Sequence, residues 1–385
     1  MIRKLQSYMK NLLLSLAMLL IIASIAEAAT RYVSPTGSGT TCSDSAPCSL
    51  TQGLSVTRSG DTLYLKGGTY ATGLLNPIPS GLSNSQPTIL AGKPGDIAII
   101  RPNTEVRPLR LSIARSDITF RNLVLDGVNL KTSLDGFNIS NTVLIKRLIL
   151  EDMEIKNLKG SAVTFGSDVT NSVIRRSRLH DVTGIDSDGA HCVYLRGSYN
   201  VIEYNECYNT WATGITMRTY DSAFRNIIRY NFFRNNATNL AVTNGGRAIN
   251  CSAADNTVHD NIIILSGEEG ITATGDCKNV KIYNNTIYKN RRHGIYLTGG
   301  ASGEIKNNII YLNGGSSIAN FSTGGWSMSN NYTQDPLFVD PNNYNFSLKT
   351  GSPATGLGAD LNTSTANTNT TTAPTAPSTL QAIVQ

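Results

Sequence analysis

NVIEYNECYN (200–209), NIIRYNFFRN (226–235), NTVHDNIIIL (256–265), NVKIYNNTIY (279–288), GEIKNNIIYL (303–312) and WSMSNNYTQD (326–335) are variants of one phrase. Their shared asparagines, Asn205, Asn231, Asn261, Asn285, Asn308 and Asn331, follow one another at intervals of 26, 30, 24, 23 and 23 residues. Weaker copies come earlier, in DITFRNLVLDG (117–127), LIKRLILEDMEI (144–155) and SVIRRSRLHD (172–181). A second phrase follows each copy: GFNIS (136–140), AVTFG (162–166), CVYLRG (192–197), GITMRT (214–219), AINCS (248–252), GITATG (270–275) and GIYLTG (294–299). Strict alternation over four or five residues, flanked by Gly and Asn, predicts short half-buried strands. Two or three such strands per repeat, with no helix between them, exclude a βαβ sheet. They predict an all-β solenoid whose coils stack at about 4.8 Å, so that about ten coils reach about 50 Å. In that solenoid the recurrent Asn form a ladder inside a turn, their amides bonded to backbone and to each other.

Composition agrees. The chain has 385 residues, 38 of them Asn and 34 Gly, and only 16% are charged. Helix-forming Glu, Lys and Ala are sparse, whereas β-branched and turn residues abound. Residues 1–28 read as a signal peptide, with Arg3, Lys4 and Lys10 ahead of the apolar run 12–26 and small residues at Ala26 and Ala28. No other apolar run is long enough to span a bilayer, so the mature protein is expected to be secreted, periplasmic or extracellular and not membrane-integral. Cleavage lowers the formal charge from +6 to +4, which gives no case for nucleic acid. Six Cys in an oxidising compartment imply up to three disulfides, Cys42 with Cys48 being the simplest pair; Cys192, Cys207, Cys251 and Cys277 can pair in more than one way.

The opening RYVSPTGSG, the segment GDTLYLKGGTY (60–70), the Asn-bearing coils and the closing DPLFVDPNNYNFSLKTGSPATGLG (335–358) resemble the right-handed parallel β-helix proteins of the pectate-lyase-like superfamily. The resemblance assigns residues 29–358 to the solenoid. It leaves 359–385, rich in Thr, Asn and Pro, as a linker or tail. It is specific for fold and not for activity, because the superfamily includes lyases, hydrolases, epimerases, esterases and non-catalytic surface proteins. Polygalacturonase-like NTD, DD, GHG and RIK motifs and the YGFDPH phrase of alginate epimerases are missing.

Two coils are longer than the rest. The insertions HDVTGIDSDGA (180–190) and NNATNLAVTNGG (235–246) bracket the coil of Ile215 and are expected to wall a cleft. Alternation turns Val193, Leu195, Ile215, Met217, Ile249, Ile271, Ile295 and Leu297 inward. Tyr194, Arg196, Thr216, Arg218, Asn250, Ser252, Thr272, Thr274, Tyr296 and Thr298 turn outward. Arg196 and Arg218 share a column on adjacent coils, where like charges repel unless an anion lies over them, and a uronate carboxylate fits that need. The column ahead of the strands reads Ser161, His191, Thr213, Arg247, Glu269, His293.

This groove is expected to bind an acidic, uronic-acid-containing polysaccharide. His191, Tyr194, Arg196 and Arg218 are the catalytic candidates, and Arg247, Glu269, Asn250 and Tyr296 the substrate-binding ones. β-Elimination needs a neutralised carboxylate, a base and an acid; the arginines suit the first task, His191 or Tyr194 the other two. Non-catalytic carbohydrate binding at a cell surface, and hydrolase or epimerase chemistry, are the alternatives. No cofactor is expected other than calcium, for which Asp186 and Asp188 are the candidate ligands, although both also suit a turn. The expected state is a monomer.

Overall fold

A computed structural model describes residues 28–184, 190–218, 223–239 and 246–359. Each repeat contributes one strand to each of three parallel sheets. The first sheet starts at Thr30–Val33 and ends at Trp326–Ser329, the second runs from Gly68–Tyr70 to Ile309–Tyr311, and the third from Leu74–Leu75 to Ile318–Ser322. Most strands are three to five residues long, because a residue with φ near +50° ends them. Tyr204, Tyr230, Asp260, Asn284, Asn307 and Asn330 all adopt this left-handed conformation immediately ahead of a ladder Asn. Asn and Asp tolerate it best, so the turns at Asp260, Asn284, Asn307 and Asn330 are made with little strain, whereas the bulkier Tyr204 and Tyr230 adopt it at greater cost.

The asparagine ladder forms as the repeat predicts. The amide oxygen of Asn261 accepts from the backbone and side-chain nitrogens of Asn231, both at 3.0 Å, while Asn261 donates in turn to Asn285. Two further ladders stand at the other corners, Asn200–Asn226–Asn256 and Ser266–Asn290–Asn313. Inside, the eight residues expected to face the core are all buried, and Phe120, Phe137, Phe165 and Phe233 fill it. The helix Leu50–Val56, capped by the Ser49 side chain, closes the N-terminal end: Leu50, Leu54 and Val56 pack on the core. Three disulfides form, Cys42–Cys48, Cys192–Cys207 and Cys251–Cys277.

After Asn331 the chain stops adding coils and folds back along the outside of the second sheet. Phe338, Phe346, Ala354 and Ala359 cover Phe232, Ile262, Ile264, Tyr288 and Ile309. Strand Ile262–Ile264 is apolar on both faces because both faces are covered. The N-terminal half of that outer face is polar instead. There the Glu154 carboxyl is held down at about 2 by its hydrogen bond to His180, against burial and with help from Lys156 and Arg178. A carboxyl lowered in the folded state stabilises above its unfolded value and loses that contribution as the pH falls towards the folded one. Stability is therefore expected to decline in acid below about pH 4.5. Glu154→Gln should flatten part of that decline in an acid-unfolding series.

Among the described residues no helix is long and apolar enough to cross a membrane.

Candidate functional site

The third sheet carries the site because its strands follow the two long insertions. Strands Val163–Phe165, Val193–Leu195, Ile215–Met217, Ile249–Cys251, Ile271–Ala273 and Ile295–Gly299 pair in register, so Thr164, Tyr194, Thr216, Asn250, Thr272 and Tyr296 form one column on the face away from the core, within which Thr216 and Thr272 are buried. Phe137–Ile139 adds Asn138 at its N-terminal side. The centres of both insertions, with Asp186 and Asp188, lie outside the described residues.

Tyr194 is the hub. Arg196 and Arg218 both donate to its hydroxyl oxygen, at 3.3 and 3.1 Å. The Arg196 guanidinium also lies over the ring, 4.8 Å from its centre. The two like charges thus share an acceptor supplied by the protein itself, a neutral oxygen where the sequence reading placed an anion. With two N–H groups directed at the oxygen, the phenol's own hydrogen is directed elsewhere. His191 also stacks on Tyr194, 5.4 Å between centres and 19° between planes. Its Nδ1 lies 3.2 Å from the Thr213 carbonyl, an acceptor only, so Nδ1 carries the proton and Nε2 the lone pair of the neutral ring.

Beside Tyr194, Arg196 and Arg218 opens a groove of about 560 Å³, lined by these three with Asp135, Asn138, Ser161 and Thr164, while His191 lies buried against Tyr194's ring. Asp135 is the residue that sequence reasoning missed. It occupies the same corner column as Ser161 and His191, one coil earlier, and extending that column by one step finds it. Burial pushes its carboxyl above the usual range, opposed by the Ser161 N–H at 2.8 Å, by Arg107 and by the Asn138 amide at 2.6 Å.

The other candidates lie towards the C-terminal end of the sheet. Glu269, expected in the groove, is only 3% exposed and faces Arg247 at 3.8 Å and Arg292 at 3.5 Å. Burial lowers Arg247 and the Glu269 charge opposes that shift. Asn250 donates to Thr216 at 3.2 Å, and neither lines the groove. Tyr296 stands four strands from Tyr194, about 19 Å at the usual strand spacing. Among the described residues no three His, Cys, Asp or Glu side chains converge to hold a metal ion.

A family model described as "Right handed beta helix region" matches residues 114–287 and 173–333. No curated protein matches. Among solved structures, pectate lyase Pel9A superposes with a TM-score of 0.63 at 15% identity, over 84% of this chain and 90% of its own. A rhamnogalacturonan lyase gives 0.55 at 14% identity, over 81% and 91%. An alginate lyase from Paenibacillus sp. str. FPU-7 gives 0.53 at 15% identity, over 80% and 99%. Identities this low establish a shared fold and nothing finer.

Proposed function

The chain belongs to the right-handed β-helix family, and from that premise we propose that it cleaves a uronic-acid-containing polysaccharide by β-elimination in the groove beside Tyr194. The observation that carries this reading is the phenol oxygen of Tyr194 receiving N–H groups from both Arg196 and Arg218 while His191 stacks on its ring. Exposed Arg218 neutralises the substrate carboxylate, which acidifies the hydrogen on the adjacent carbon. His191 Nε2 takes that proton. The electron pair forms the new carbon–carbon double bond as the bond to the glycosidic oxygen breaks, and Tyr194 protonates the departing oxygen. The charge left on Tyr194 falls between two guanidinium groups.

Three supports stand beside the geometry. Several fold neighbours bear names of lyases acting on pectate, alginate or rhamnogalacturonan. Three disulfides suit an exported protein. Asp135, whose carboxyl burial holds towards its neutral form, can face an anionic chain with less repulsion than an ordinary aspartate. Hydrolysis finds less support, because Glu269 is tied to two arginines.

The substrate class is tested with polyuronates and their neutral counterparts, each with and without calcium. Arg218→Ala should lower kcat/KM on a polyuronate by about 10- to 100-fold, the worth of a hydrogen bond to a charged group. Equal activity on a neutral polymer, or no loss in the variant, would contradict the proposal.

A further inference from the structure

We propose that His293, Tyr296 and Phe321 form a second, aromatic subsite on the same sheet, which takes the apolar face of a sugar ring further along the chain held at Tyr194. It rests on the reading of the groove as a polysaccharide site.

The phrase His-x-x-Tyr occurs twice on this face, as His191-Cys-Val-Tyr194 and His293-Gly-Ile-Tyr296. Its rings stack alike in both places, at 5.4 and 5.7 Å between centres and 19° between planes. The proton sits differently. His293 Nδ1 accepts from the Ser316 backbone N–H at 3.0 Å, so the neutral ring carries its hydrogen on Nε2. Gly315 makes this possible, since a Cβ there would lie 2.6 Å from His293 Nδ1. His191 thus carries its hydrogen on Nδ1 and His293 on Nε2. One suits proton removal and the other suits a sugar hydroxyl.

The surroundings differ in the same sense. Where Tyr194 meets two guanidinium groups, Tyr296 meets Phe321, 5.8 Å away and inclined at 48°. Phe321 is 67% exposed, on the last strand of the sheet. Hydroxyl-bearing Ser252, Thr274 and Thr298 continue the outward face between the two tyrosines. An apolar ring flanked by hydroxyls matches a pyranose, which has one face of C–H groups and a rim of O–H groups. The patch is far smaller than the roughly 800 Å² per partner that a stable protein interface buries.

The test measures binding of oligouronates of increasing length to the full chain carrying Tyr194→Phe, in which turnover is slowed by about 10²- to 10⁴-fold. Affinity should rise a further three- to tenfold once the oligomer spans the roughly 19 Å between the sites. Phe321→Ala and Tyr296→Ala should flatten that rise, and Phe321→Tyr should keep it. Short oligomers that bind while the length-dependent gain persists in Phe321→Ala overturn the subsite alone. Failure to bind any oligouronate overturns the groove reading and the subsite with it. A dimer that dissociates on Phe321→Ala in sedimentation would give the patch to a second copy, against the proposal.

Discussion

Tyr194→Phe is expected to lower kcat/KM on a polyuronate by about 10²- to 10⁴-fold, the range for losing a positioned acid or base, with a much smaller change in KM. The substitution removes one oxygen and leaves the ring, so the His191 stack and the Arg196 contact keep their partner. What disappears is the proton donor and the one atom at which Arg196 and Arg218 meet. Steady-state kinetics with the variant, beside a folding check by circular dichroism, reads the result. A variant that retains turnover within about threefold would remove Tyr194 from the chemistry.

Asn261→Ala is expected to cost about 3–5 kcal/mol, several times the typical effect of a point mutation. Asn261 is fully buried. Its side chain donates to the Ile228 and His259 carbonyls, both at 2.9 Å, and exchanges hydrogen bonds with Asn231 and Asn285 on the neighbouring coils. Alanine leaves the Asn231 backbone N–H without its acceptor in a place water does not reach. Each orphaned group costs about 1–3 kcal/mol, and the total is a large part of the 5–15 kcal/mol by which domains are stable. Exposed Asn103, in a connecting segment, supplies the control: Asn103→Ala should stay within about 0.5 kcal/mol in the same denaturant series.

The main ladder was legible because one residue type returned at the sixth or seventh place of a repeated phrase. The first place of the same phrase, Asn200, Asn226 and Asn256, held the second ladder equally openly. It escaped because a single Asn column already explained the excess. Alternation placed every outward column, since side-chain direction in a strand has period two. It could not say that Arg196 and Arg218 would turn onto Tyr194, which depends on side-chain torsions across neighbouring coils. Nor could it fix the two histidine protons, which are set by a carbonyl in one case and a backbone N–H in the other. The resemblance alone carried the closing segment 335–358 into the solenoid. The signal for its real position lay elsewhere, in the all-apolar run Ile262–Ile264, which needs cover on both faces.

The central claim is β-elimination, and the products of a polyuronate digested in heavy water test it most directly. Elimination predicts shortened chains, each ending in an unsaturated uronate seen by its ultraviolet absorbance and by NMR. Chains of unchanged length with deuterium at the carbon beside the carboxylate would mean epimerisation. New reducing ends without unsaturation would mean hydrolysis, and an unaltered polymer that nevertheless binds would mean a carbohydrate-binding protein. Any of these last three results would contradict the account.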